Sequence, residues 1–185
     1  VLINGATGVA GQQAIQVAKY LGAKRVVATG REHAMLEKLR ALGADETIWL
    51  RHPHEALTAA FRKALAGIDV VLDYIWGPSA ECILAAAQGH GAPEGEPRIR
   101  YIQIGAISGD PIALRGQWLR SSGVELMGSG LGSLSASAIV EALKVMFHAA
   151  ATSRFKIDTD TVPLREVESA WTRTTPSGRR IVFTM

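Results

Sequence analysis

Cysteine is nearly absent from this chain: Cys82 is the single one in 185 residues. That excludes an internal disulfide framework and any structural zinc site built from several thiolates. A charge excess of one sign is lacking too. Lys and Arg number 20 against 17 Asp and Glu, a net of +3, too little to argue for a nucleic-acid partner. No apolar run nears the ~18–20 residues a membrane span needs. With 48% hydrophobic and 20% charged residues, the composition also excludes long disorder. The expected setting is the cytoplasm, with neither membrane nor nucleic acid among the partners. An initial Met and a signal peptide are missing as well, and Val1-Leu2-Ile3 already reads as a buried strand. A start inside an element leads us to expect a trimmed piece of a longer protein.

What the chain has in excess is glycine, 19 residues, and these punctuate a regular alternation. Apolar strands are expected at residues 1–4, 25–29, 47–50, 68–75, 99–104 and 124–127. Between them lie helical periods: Ala14, Val17, Ala18 and Leu21, then Met35, Leu39 and Leu42, then Leu57, Phe61, Ala64 and Leu65. Residues 79–88 read as a fourth helix, and Ile139, Leu143, Met146, Phe147 and Ala150 line a last one. Residues 90–97, rich in Pro and Gly, read as a surface loop. Near-continuous apolar strands separated by amphipathic helices imply an α/β fold with a parallel sheet covered on both faces. Six strands with a glycine-rich first turn fit the doubly wound Rossmann order 3-2-1-4-5-6. The alternation stops near Ser153. A strand–helix–strand tail follows, with a strand at 155–164, a helix at 166–174, a turn at 176–178 and a strand at 179–185. We therefore expect a nucleotide-binding domain at 1–153 and, at 154–185, a tail belonging to a second unit.

The sharpest local signal is Gly5-x-x-Gly8-x-x-Gly11 between the first strand and the first helix. Gly8 lets the backbone approach a pyrophosphate, Gly11 lets helix and strand pack closely, and the helix N-terminus favours negative charge. Tight strand-to-helix turns also need glycine, but strand and helix stand in the required places on either side, which favours a dinucleotide. The second discriminator is the end of the second strand. A site for NAD usually carries Asp or Glu there for the ribose 2′-hydroxyl. This chain has Thr29-Gly30-Arg31, all three expected to meet the cofactor. Arg31 suits a 2′-phosphate, which it can grip in bidentate fashion, so NADP(H) is the expected cofactor. The bland alternative is an exposed first-turn arginine.

The stretch from Val1 to Ala23 resembles the cofactor domain of the medium-chain dehydrogenase/reductase superfamily, in its quinone-oxidoreductase and zinc-type alcohol dehydrogenase branch. Leu42-Gly-Ala-Asp45, Asp69-Val-Val-Leu-Asp73, Ile104-Gly-Ala106, Gly128-Ser129 and the tail Pro163–Trp171 with Gly178–Val182 carry the likeness over nearly the whole chain. Where the family often has Gly-Gly-Val-Gly in its loop, this chain reads Gly8-Val9-Ala10-Gly11. The resemblance implies that Gly8, Val9 and Ala10 lie under the pyrophosphate and Arg31 by the adenosine phosphate. It also brings Gly105, Ala106 and Ile107, with Ser129 and Gly130, towards the nicotinamide, while Tyr74 and Trp76 sit at the same sheet edge. It implies hydride transfer to a small carbonyl, quinone or enone, and a homodimer through residues 124–127. The family's catalytic domain, with its substrate pocket and any zinc ligands, should precede Val1.

The rest of the chain offers no convincing catalytic acid, so the catalytic residues stay unknown and no metal is expected. His52-Pro53-His54 lacks ligand partners at useful spacing, and Cys82 reads as core. Asp69 and Asp73 read as one face of a buried strand, with Asp73 placed to touch a ribose or cap a loop. Arg51 reads as a loop arginine near the adenine end. Tyr20-x-x-x-Lys24 matches the catalytic pair of short-chain reductases, but it falls at the wrong end of the first helix. A different class remains open: a stand-alone NADP(H)-binding module that does not turn over.

Overall fold

Successive residues of a strand face opposite sides of a sheet, and in the first two strands both sides are apolar. β1 (Leu2–Asn4) and β2 (Val27–Gly30) are buried at every position. Leu2 and Val27 pack with Phe61, Ile83 and Tyr101 on one side of the sheet, while Ile3 and Ala28 pack with Ile15, Leu36 and Leu39 on the other. Strands of this kind belong in the middle of a parallel sheet. β3 (Glu46–Trp49), β4 (Val70–Asp73), β5 (Arg98–Gln103) and β6 (Gly123–Gly128) complete it. The order is β3-β2-β1-β4-β5-β6, parallel throughout. The doubly wound fold read from the sequence is borne out. The computed structural model describes residues 1–89, 98–176 and 178–185, so the loop expected at 90–97 and the middle of the turn at 176–178 lie outside the described residues.

Helices α1 (Val9–Tyr20) and α2 (His33–Ala41) cover one face, α3 (His54–Leu65) and α4 (Gly77–Ala86) the other. A short helix, α5 (Gly116–Arg120), was missed by the sequence reading because it buries no residue and so shows no apolar period. The long α6 (Ala136–Ser153) opens on Ser135, whose hydroxyl accepts from Ala138 N. Such a cap satisfies one of the free N–H groups of a first turn.

The fourth strand is shorter than the expected 68–75. At its start, Ile68 N–H bonds back to Leu65 O, closing the end of α3, and Asp69 stands exposed before the strand. At its end, the N–H groups of Ile75 and Trp76 turn onto the Asp73 carboxylate, 3.0 and 2.9 Å away. Asp69 and Asp73 therefore do not share a buried face. Only Asp73 is interior.

The tail holds β7 (Asp158–Pro163), a turn of 3₁₀ helix (Leu164–Glu166), α7 (Val167–Trp171) and β8 (Arg179–Thr184). β7 and β8 pair in parallel as a sheet of their own, separate from the six strands. Lys38 pairs with Asp158, and the amides of Gln13 and Gln16 donate to Lys156 O at 2.7 and 2.9 Å. Gly178 seats the tail turn against the first loop: at φ +82, a Cβ there would stand 2.0 Å from Gln12 Nε2 and 3.0 Å from Thr7 O. Only glycine allows that approach.

Candidate functional site

All six parallel strands deliver their C-terminal ends to one edge. The chain leaves β1 and β4 in opposite directions, which opens a crevice between the two exits. A cleft of about 300 Å³ occupies it. Gly8 lines it from the loop after β1, Val9 and Ala10 from the first turn of α1, and Gly30 and Arg31 from the end of β2. Leu50 follows β3, Tyr74 and Ile75 follow β4, and Ile107 and Ser108 follow β5. One wall comes from the tail, where Arg180 of β8 reaches the same space.

The floor is the N-terminus of α1. Gly8 is its N-cap with no side-chain cap, and no acidic residue stands in the first turn. The partial positive charge of a helix N-terminus, left uncapped, suits an anion. A Cβ on Gly8 would meet nothing within 4 Å, so it would project into open space at the cleft. A Cβ on Gly11 would come within 2.5 Å of Ala6 Cα, so glycine there lets the helix rest on the strand exit. These features fit a pyrophosphate.

Beneath the floor lies a buried polar network. Thr29 Oγ1 accepts from Gly5 N and donates to Asn4 Oδ1, each at 2.9 Å. Asn4 Nδ2 donates to Asp73 Oδ1 and Ser79 Oγ, also at 2.9 Å. The hydroxyl of Tyr101 donates to Asp73 Oδ2. Burial, reinforced by that carboxylate, pushes the Tyr101 phenol far above its ordinary range, so it stays a donor. Among the described residues no buried side-chain N or O is left without a partner. Interior groups matched in this way hold the exits of β1, β2, β4 and β5 in fixed relation.

Of the residues singled out from the sequence, the structure gathers Gly8, Val9, Ala10, Gly30, Arg31, Tyr74 and Ile107 around one cleft. Burial pushes the Tyr74 phenol upward as well. Thr29 lies below the cleft, within the network. Gly105 packs against the exit of β4, where a Cβ would stand 2.6 Å from Tyr74 O, and Ala106 O accepts from Gly109 N. Ser129 N donates to Gln103 O at 2.8 Å, and Gly130 turns onto Ser133. These last four are at the same sheet edge and outside the cleft lining. Arg180 was missed. Its only sequence signal, a basic pair after Gly178 in the tail, does not say where the tail docks.

Other candidates have plainer places. Trp76 packs on the core edge-on to Tyr101, with ring centroids 6.0 Å apart, and holds a positive φ of 56°. That backbone region is strained for a non-glycine residue and persists only where its surroundings impose it. Here Asp73 grips its N–H. His52 meets Trp49 edge-on at 5.1 Å and His54 opens α3. Among the described residues no three His, Cys, Asp or Glu are grouped to hold a metal ion. Tyr20 ends α1 against Phe155, and neither it nor Lys24 lines the cleft. Cys82 is buried, which pushes its thiol pKa up. No described helix is long and apolar enough to cross a membrane.

Sheet order, glycine loop and switch-point cleft define a Rossmann domain. Residues 10–146 match the zinc-binding dehydrogenase family, and the chain belongs to it, as the likeness to the medium-chain superfamily led us to expect. A curated protein of Emericella nidulans named "Probable NADPH-dependent quinone reductase tdiC" is 27% identical over 192 residues, taking in 99% of this chain and 53% of that protein. The crystal structure of 2-haloacrylate reductase superposes with a TM-score of 0.79 at 24% identity, over all of this chain and 56% of that one. CurA from Vibrio vulnificus, solved in complex with NADPH, gives 0.67 at 17% identity over 100% of this chain and 56% of its own. At such identities the structures speak to the fold. The chain spans about half the length of these relatives.

Proposed function

We propose that this chain is the cofactor domain of an NADP(H)-dependent oxidoreductase that passes hydride between the nicotinamide and a carbonyl, quinone or enone. One observation carries the reading. The uncapped N-terminus of α1, the open backbone at Gly8 and two arginines, Arg31 and Arg180, converge on one cleft, and neither arginine has an ion-pair partner among the described residues. Bidentate guanidinium groups beside a helix N-terminus suit the phosphates of a dinucleotide. Arg31, from the strand end that fixes the adenosine ribose in this fold, suits the 2′-phosphate. Arg180, opposite the glycine loop, suits the pyrophosphate. When bound, the cofactor supplies the hydride chemistry, and this chain binds and orients it.

Residues 1–153 then form the cofactor domain, with Gly8, Val9 and Ala10 under the pyrophosphate and Tyr74, Gly105, Ala106, Ile107, Ser129 and Gly130 towards the nicotinamide end. Residues 154–185 belong with the substrate-bearing half. Among the described residues the outer edge of β6 has no neighbouring strand, which supports a homodimer joined there; a cytoplasmic setting is part of the same proposal. A clean monomer by light scattering at high concentration would count against that pairing.

Titration with NADPH and NADH tests the reading. Arg31→Ala should weaken NADPH roughly 10- to 100-fold and leave NADH nearly unchanged, whereas Arg180→Ala should weaken both. Equal affinities for the two cofactors, indifferent to Arg31→Ala, would sink it. In the same samples, oxidation of NADPH by a quinone or enone distinguishes an enzyme sufficient in itself from a binding module that needs a larger protein around it.

A further inference from the structure

Arg31 is exposed, on a turn between β2 and α2 that no side chain caps. A long side chain in such a place loses much rotamer freedom when it grips an anion, so its usefulness depends on how firmly its backbone is held. Here β3 holds it. Gly30 and Trp49 stand opposite each other at the ends of the paired strands. Past that pair, Leu50 N donates to Gly30 O at 2.9 Å, continuing the ladder. The indole Nε1 of Trp49 then donates to Arg31 O at 2.8 Å, one residue beyond the point where the backbone ladder ends. The ring itself is fixed from two sides. It stacks on His33, the first residue of α2, at 4.6 Å and 29°, and it takes the edge of His52 at 5.1 Å. The adjoining Glu32, whose carboxylate would repel a phosphate, is engaged by Arg51 at 2.7 Å.

We propose that Trp49 is a positioning residue for discrimination between the two nicotinamide dinucleotides: its indole N–H clamps the Arg31 carbonyl and so presents the guanidinium to a 2′-phosphate. The inference rests on the NADP(H) reading above. Trp49 is not among the residues that line the cleft. It acts through the Arg31 backbone, and the stacked His33 and the Glu32–Arg51 pair complete the wall around that turn.

Trp49→Phe keeps an aromatic ring against His33 and removes only the N–H donor. In the 185-residue chain it should weaken NADPH roughly three- to tenfold, the range for losing one hydrogen bond, and shift NADH by less than about twofold. In an Arg31→Ala background the same change should no longer affect NADPH, because the clamp then has nothing to present. Unchanged NADH binding shows that the variant has kept its fold. If Trp49→Phe leaves the NADPH-to-NADH ratio untouched, or weakens both cofactors equally, the positioning role is overturned while the NADP(H) reading stands. If the unaltered chain shows no preference for NADPH at all, the reading itself falls and the inference falls with it.

Discussion

Helices α1 and α6 show the same apolar helical period in the sequence, yet they end in opposite surroundings. α1 buries Gly11, Gln12, Ala14, Ile15 and Ala18 along its 12 residues. α6, with 18 residues, buries Ala149 alone. The strands before them differ in the same way: β1 is buried at every position and β6 at none. Periodicity reports that a helix has an apolar stripe and is silent about what covers it. The stripe of α1 closes on Ile3 and Ala28 of the sheet and on Val26 just before β2. Most of the apolar side chains of α6 instead stay open, and Val145 and Met146 line a groove with Val17 and Tyr20 of α1. The stability of the described chain is therefore concentrated in the part from β3 across to β5, and that part also builds all of the cleft but the wall at Arg180.

A matched pair of substitutions gives the largest expected effect and tests this contrast directly. Phe61 on α3 is 0% exposed and Phe147 on α6 is 66% exposed. Phe61→Ala empties the centre of the core beside Leu2 and Val71, and should destabilise by about 3–5 kcal/mol in denaturant unfolding. Phe147→Ala removes the same atoms from a site already in water and should stay within about 0.5 kcal/mol. Equal losses would mean that α6 is covered in solution, and the contrast would fail.

Much of the fold was legible because its signals are local and repetitive. The β1 run, the Gly5–Gly11 loop and the stripes of α1 to α3 each report on their own neighbourhood. The sheet order followed from six alternating strands and the position of the glycine turn. What stayed hidden depends on contacts distant in sequence. Arg180 reaches the cleft only because Gly178 lets the tail turn sit on Gln12 and Thr7. Thr29 was read as a cofactor residue, yet its hydroxyl is engaged with Asn4 and Gly5 across β1. Trp49 looked like an ordinary strand residue, since nothing local reveals that its indole meets the carbonyl of Arg31. Exposure was equally hidden. The residues on α6 have the right types and spacing for a core, and only the structure shows them open.

The Asp73 network sharpens the comparison from the polar side, with a somewhat smaller expected effect. Asn4, Thr29, Asp73 and Ser79 are all buried in the half that builds the cleft, whereas α6 and β6 hold no buried polar side chain among the described residues. Asp73 accepts from Asn4 Nδ2, Ile75 N, Trp76 N and the Tyr101 hydroxyl. Asp73→Ala leaves all of those donors without their acceptor, and buried donors so stranded carry their full desolvation penalty. We expect about 2–3 kcal/mol of lost stability. The loss should also reach the cleft. Ile75 holds its place beside Gly5 partly through that carboxylate, and a Cβ on Gly5 would already stand 2.3 Å from Ile75 Cγ2. Once Ile75 and Trp76 lose their anchor, the strained backbone at Trp76 has less to hold it, and the wall over the glycine loop loosens. Both NADPH and NADH should then weaken together, unlike the selective loss expected from Arg31→Ala or Trp49→Phe. A stability loss with cofactor affinities intact would confine the network to folding, and the link between interior polar matching and the shape of the cleft would be broken.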